Sequence, residues 1–74
     1  MIKRTITLSG HQTSVALEQP FWDGVDEIAR QRAISWSQLV AEIDAARQAA
    51  NLASALRLTV LAHYRDLADR RALS

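Results

Sequence analysis

The sequence predicts a mainly α domain in which one short strand per chain pairs with its copy across a homodimer and is followed by two to three helices. Three observations carry this expectation. The stretch His11 to Trp22, HQTSVALEQPFW, changes hydrophobic period in its middle, from the alternation of a strand to the spacing of a helix. Two residues with helix-starting chemistry, Ser35 and Asn51, divide the rest of the chain. Hydrophobic residues make up 49% of a 74-residue chain that has no cysteine. A short, apolar, unstapled chain is best explained by a core shared between copies, in a homodimer or a higher closed oligomer.

Residues 1–8, MIKRTITL, alternate, with Ile2, Arg4, Ile6 and Leu8 on one parity and Lys3, Thr5 and Thr7 on the other. Their Thr and Ile content favours extended backbone, and Ser9-Gly10 is a turn signal. We read residues 1–10 as a basic arm that becomes ordered on packing or binding. The other reading is an extra strand that folds back on His11–Leu17 as a hairpin. In the strand His11–Leu17 itself, Thr13, Val15 and Leu17 alternate with Gln12, Ser14 and Ala16. The first set should face the helices and the second should face out.

Helix one is expected from Pro20 to Arg32. Proline at the first helical position gives up an N–H that has no intrahelical partner anyway. Asp23, Asp26 and Glu27 are placed to favour the positive end of the helix dipole. The apolar stripe is Phe21, Val25, Ile28 and Ala29, with Trp22 at its edge. Gly24 costs up to ~1 kcal/mol relative to alanine inside a helix, which close approach of a second helix would explain. After a short turn at Ala33-Ile34, Ser35 and Gln38 form the S-x-x-Q capping box of helix two. Leu39, Val40, Ile43 and Ala46 make its apolar face, and an alanine-rich end reaches Ala50. Asn51 either closes helix two or caps helix three through its side chain. Helix three should cover Leu52 to Asp69. Leu52, Leu56, Val60, His63 and Leu67 lie on one face, and Leu58, Leu61 and Tyr64 widen it. Such a helix is covered on more than one side, the second side by a partner subunit. Residues 11–69 thus form the domain, and residues 70–74 a frayed end. The shared core is expected from Val15, Leu17, Phe21, Val25, Ile28, Leu39, Val40, Ile43, Leu56 and Val60.

Composition excludes several functions. No glycine-rich phosphate loop, no H-E-x-x-H and no His/Asp cluster at ligand spacing occurs, so neither catalytic residues, a metal nor a cofactor is expected. His11 and His63 lack companions, and His63 with Tyr64 reads as a pair of core or interface residues with satisfied hydrogen bonds. No signal peptide and no transmembrane stretch is visible, which suits a soluble cytoplasmic protein with no membrane partner. Formal net charge is +1, but residues 1–14 carry Lys3 and Arg4 and no acid, a bias that suits a polyanion.

The major groove of DNA admits a two-stranded β-ribbon. The single strand His11–Leu17 is half of one, and two copies across a dimer axis complete it. Gln12, Ser14 and Ala16 would then face the bases: Gln bonds adenine at two points, Ser accepts or donates, and Ala touches a thymine methyl. The other use of the same dimer is as an interaction module, in which the ribbon edge or helix three binds a protein partner.

The order strand, proline-led helix, short turn and SWSQLV opening a second helix resembles the ribbon-helix-helix DNA-binding fold. Val15 and Leu17 precede Ser35 by 20 and 18 residues, as strand and second-helix start do in that fold. The segments GHQTSVALE, FW, IA, LVAEID, NLASALR and VLAHYR resemble more closely a bacterial subgroup of that family with an added third helix, over roughly His11 to Arg65. The resemblance implies an obligate dimer, base reading by Gln12, Ser14 and Ala16, and a transcription regulator such as a repressor or autoregulator. It also implies a phosphate held at Ser35, Trp36 and Ser37, where free N–H groups and the helix dipole favour an anion. Trp36 can flank that phosphate or belong to the core. Members usually carry Arg or Lys on the outward strand positions, and this chain has none there. Phosphate contacts are therefore expected from Lys3, Arg4 and His11, with Arg32 as a further cation.

Overall fold

The computed structural model describes residues 1–47 and 51–72. In chain order the elements are β1 (Ile2–Leu8), β2 (His11–Leu17), α1 (Gln19–Gln31), α2 (Trp36–Ala46) and α3 (Leu52–Ala72). The two strands form an antiparallel ribbon and the three helices come after it, which is a ribbon-helix-helix arrangement.

The amino-terminal residues settle on the second of their two readings. They are not an arm but a strand, paired along its length with β2 from Ile2↔Leu17 to Leu8↔His11. The ribbon within one chain therefore has two strands where the sequence pattern implies one. The connection explains why. Ser9 has φ +52° and Gly10 φ +81°, the left-handed pair of a type I′ turn, whose twist matches that of the strands it joins. Residues of one parity face the helices: Ile6, Val15 and Leu17 are buried, and Arg4, Leu8 and Thr13 are half-buried.

Helix α1 is bounded one residue earlier at each end than expected. Its first turn contains no acidic residue, so the dipole argument for Asp23, Asp26 and Glu27 does not hold. These three instead serve side-chain pairs with Gln19, Arg4 and Arg30, respectively. Trp22 is not at the edge of the buried stripe but at its centre, fully buried as the largest such side chain. Gly24 sits under α3. A Cβ built there would lie 2.5 Å from Val60 Cγ1 and 3.4 Å from Tyr64 Cε2, so glycine permits the helices to approach.

The α1–α2 connection is a Schellman closure. Ile34 N–H donates to Ala29 O at 3.0 Å and Ala33 N–H to Arg30 O at 3.1 Å. The residue at the left-handed position is Ala33, with φ +56°, where glycine is the usual occupant. Helix α2 starts on Ser35, whose Oγ accepts the Gln38 N–H at 3.0 Å. It stops earlier than expected: Arg47 is already extended, with φ −67° and ψ 141°, and the expected continuation over residues 48–50 lies outside the described residues. Asn51 caps α3, its Oδ1 accepting the Ser54 N–H at 2.7 Å. Helix α3 runs past Asp69. Arg70 to Ala72, expected to fray, form its last turn, with Arg70 paired to Asp66 at 3.0 Å.

A single cluster joins ribbon and helices: Ile6, Val15, Leu17, Trp22, Val25, Ile28, Ala29, Leu39, Val40, Leu56 and Val60, with Phe21 and Ile43 half-buried against it. Holding a side chain with a Cβ in the left-handed region costs ~1–2 kcal/mol. Ala33→Gly should therefore raise the unfolding free energy by about 1 kcal/mol in urea unfolding, with the slope unchanged.

Candidate nucleic-acid interface

The ribbon register assembles a surface from both strands. On the face turned away from the helices, Lys3 lies across from Ala16, Thr5 from Ser14 and Thr7 from Gln12. Lys3, Thr5, Thr7, Gln12 and Ser14 are exposed and Ala16 is half-buried. None of the six is acidic. The face offers one cation, three hydroxyls and an amide, and the side chain of Lys3 opposes the smallest of its neighbours.

Arg4 is not part of this surface. The sequence suggests it as a phosphate contact, but its parity turns it toward the helices. Its guanidinium donates to Asp26 through two parallel bonds, Nη1 to Oδ1 at 2.7 Å and Nη2 to Oδ2 at 2.9 Å. It also lies 4.5 Å from the ring centre of Trp22 and 5.0 Å from that of Trp36. The two indoles meet edge to face, with ring centres 5.8 Å apart. Trp22 Nε1 donates to the Ile2 carbonyl at 2.8 Å. A signal for Arg4 exists in the sequence, since it shares the parity of Ile6 and Leu8. Its charge points to a polyanion, and its place in the alternation overrides that. For Trp22 no such signal exists, because helical spacing cannot show that an indole N–H has a strand carbonyl to reach.

At the start of α2, Ser35 is exposed and Ser37 half-buried, with their Oγ atoms 3.1 Å apart. The Ser35 oxygen is occupied by the cap, while the N–H groups of Trp36 and Ser37 belong to the first turn and have no intrahelical acceptor. Trp36 is half-buried against Trp22 and Arg4, on the core side of the two roles left open for it. His11 is exposed at the head of β2. Arg32 is engaged with Glu42 at 2.8 Å.

The far edge of β2 carries no third strand among the described residues. Beside it runs a groove of about 520 Å³, lined along the ribbon by Leu8, His11 and the β2 run from Thr13 to Ala16, and on the helix side by Asp44, Arg47 and Leu52. A second ion pair holds the helices beneath the ribbon: Arg57 Nε donates to Glu18 Oε1 at 2.9 Å, and hydrogen bonding from Arg57 lowers the Glu18 pKa. On α3, Leu58 and Leu61 are 59% and 52% exposed, so the second apolar side of this helix is uncovered within one chain. His63 does not have the satisfied hydrogen bonds expected of it. Its Nε2 is buried without a partner among the described residues, and its ring lies edge-on to Tyr64 at 5.0 Å.

The Arg4 hydrogen bonds lower the Asp26 carboxyl below its ordinary value of 3.8. A carboxylate with a depressed folded pKa stabilises fully above the unfolded value and loses that contribution as pH falls through the folded one. Arg4→Met should cost roughly 1–2 kcal/mol at neutral pH, from a partly exposed ion pair and its indole contacts. Thermal unfolding as a function of pH should show the gap between wild type and variant narrowing below about pH 4, to the part contributed by the indole contacts.

A family model described as a ribbon-helix-helix domain matches residues 1–64. A solved structure of an uncharacterized protein from Bordetella pertussis Tohama I is similar at 37% identity and a TM-score of 0.84, over 95% of this chain. This chain spans 60% of that protein's length. No curated protein matches the chain.

Proposed function

The chain belongs to the ribbon-helix-helix domain family, whose members are generally DNA-binding transcription regulators, and from that membership we propose that it is itself such a regulator, a repressor or autoregulator acting as a homodimer in the cytoplasm. The observation that supports this reading best is the solvent face of the ribbon: polar, free of carboxylates and bordered by an open strand edge. An open edge presents unpaired N–H and C=O groups to a second strand. Pairing β2 with the partner's β2 would satisfy them and place apolar side chains in the groove beside Leu52. Gln12, Ser14 and Ala16 from both copies would then line one central two-stranded ribbon and read base edges in the major groove. Backbone amides at the start of α2, with Ser35 and Ser37, would hold a phosphate, flanked by Trp36. Lys3 and His11 would supply cations, and Arg4 is withdrawn from that role.

The uncovered Leu58 and Leu61 of α3 favour a second reading, in which the same dimer is an interaction module for a protein partner. One set of measurements separates the two. Sedimentation should find a dimer at micromolar concentration. DNA recovered with the protein from its genome should bind with an affinity that falls steeply with salt. Gln12→Ala should weaken that site by roughly 5- to 100-fold while leaving random-sequence DNA unaffected. A folded monomer, or binding that is absent at low salt while a protein co-purifies, would overturn the DNA reading.

A further inference from the structure

We propose that β1 is the phosphate-contacting flank of the DNA surface, with Lys3, Thr5 and Thr7 resting on the sugar-phosphate backbones on either side of the groove that β2 reads. The inference rests on the DNA reading above and adds to it the strand that a two-stranded ribbon does not contain.

The observation is a matter of width. β1 is hydrogen-bonded to one edge of β2, so pairing two β2 strands through their open edges yields the order β1-β2-β2-β1, with each β1 outermost. At the ~4.8 Å spacing between neighbouring strands, the outer two lie roughly 14 Å apart. The major groove is about 12 Å wide. The central pair fits between the walls and the outer strands do not. They come to lie over the walls, which are the phosphate backbones.

The side chains that β1 turns to that side suit the position. Lys3 is a flexible cation, and Thr5 and Thr7 are exposed hydroxyl donors. Phosphate oxygens take hydrogen bonds from side chains of these kinds. The neighbouring strand brings Ala16, Ser14 and Gln12 across from them and no carboxylate that would repel the backbone or neutralise Lys3. The only arginine of β1 is held on the opposite face by Asp26, so it locks the strand in place without competing for the DNA. The flank also restores what the β2 positions lack, since the missing cation is supplied one strand away. Lysine and threonine on an outer strand also discourage edge-to-edge association and favour extended backbone, but those roles predict no effect on DNA.

Phosphate contacts are independent of sequence, so a random-sequence duplex is a sufficient probe. Its binding by the full chain should be titrated against salt for wild type, Lys3→Ala and the double variant Thr5→Val/Thr7→Val. Lys3→Ala removes two cations per dimer, and the slope of log affinity on log salt should become shallower by about 1.8. The threonine variant removes four hydroxyls per dimer, keeps the slope and loses roughly 30-fold or more in affinity. Melting temperatures should stay close to wild type, because all three side chains point to solvent. Wild-type binding with the Lys3→Ala slope unchanged would overturn the flank and leave the regulator reading standing. No wild-type binding even at low salt would overturn both.

Discussion

A slip of one residue in the pairing of β1 with β2 would exchange Lys3 with Arg4. It would bring Thr5 and Thr7 to the core and push Ile6 into water. Core, clasp and outer face all rest on the register of this hairpin, because strand side chains alternate with a period of two. Two features set it. The Ser9-Gly10 loop permits only a tight turn with both central residues at positive φ, and the inward parity carries Ile6, Val15 and Leu17, whose burial stabilises one register over its neighbours. The chemistry of the outer face is a consequence.

The helices keep that ribbon in place through contacts of three kinds. Trp22 fills the space beneath the strands and donates to the Ile2 carbonyl, joining the first turn of α1 to the start of β1. Arg4 reaches down from the ribbon between two indoles to Asp26, so one side chain ties β1 to α1 and to the start of α2. Glu18, at the junction of β2 and α1, is clasped by Arg57 of α3. Gly24 allows α3 to lie close enough for this, with Val60 and Tyr64 in the space a Cβ would need. A hairpin of two short strands alone would be marginal in water. Here it is one wall of a core that every helix enters.

The same packing leaves two surfaces unfinished within one chain. Among the described residues, the outer edge of β2 has no neighbouring strand and lies beside a groove, and the far side of α3 shows Leu58 and Leu61 to solvent. Both are features that a small domain covers by association. They differ in what they demand. The strand edge requires backbone partners in register, which a symmetric copy of the same strand would supply. The leucines on α3 require only apolar contact, and a partner of another kind would satisfy them.

Local features are legible in the amino-acid order alone. The alternation at His11–Leu17, the proline opening of α1, the Ser35 and Asn51 caps and the buried faces of α2 and α3 come from interactions spanning a few residues, and such interactions are written in spacing, although Ala46, expected on the α2 face, is exposed. The sorting of β2 into an inner and an outer face is legible for the same reason. The remaining features needed the folded chain, because each joins residues far apart in sequence. Whether residues 2–8 were arm or strand depended on a partner strand and on a core able to receive Ile6 and Arg4. Arg4, a basic residue near the terminus, became a core clasp because Asp26 is 22 residues away in sequence and adjacent in space. Trp22 moved from edge to centre because two strands, and not one, cover it. Lys3 came to stand beside Ala16 for the same reason, since the register of a hairpin is a property of the pair and not of either strand.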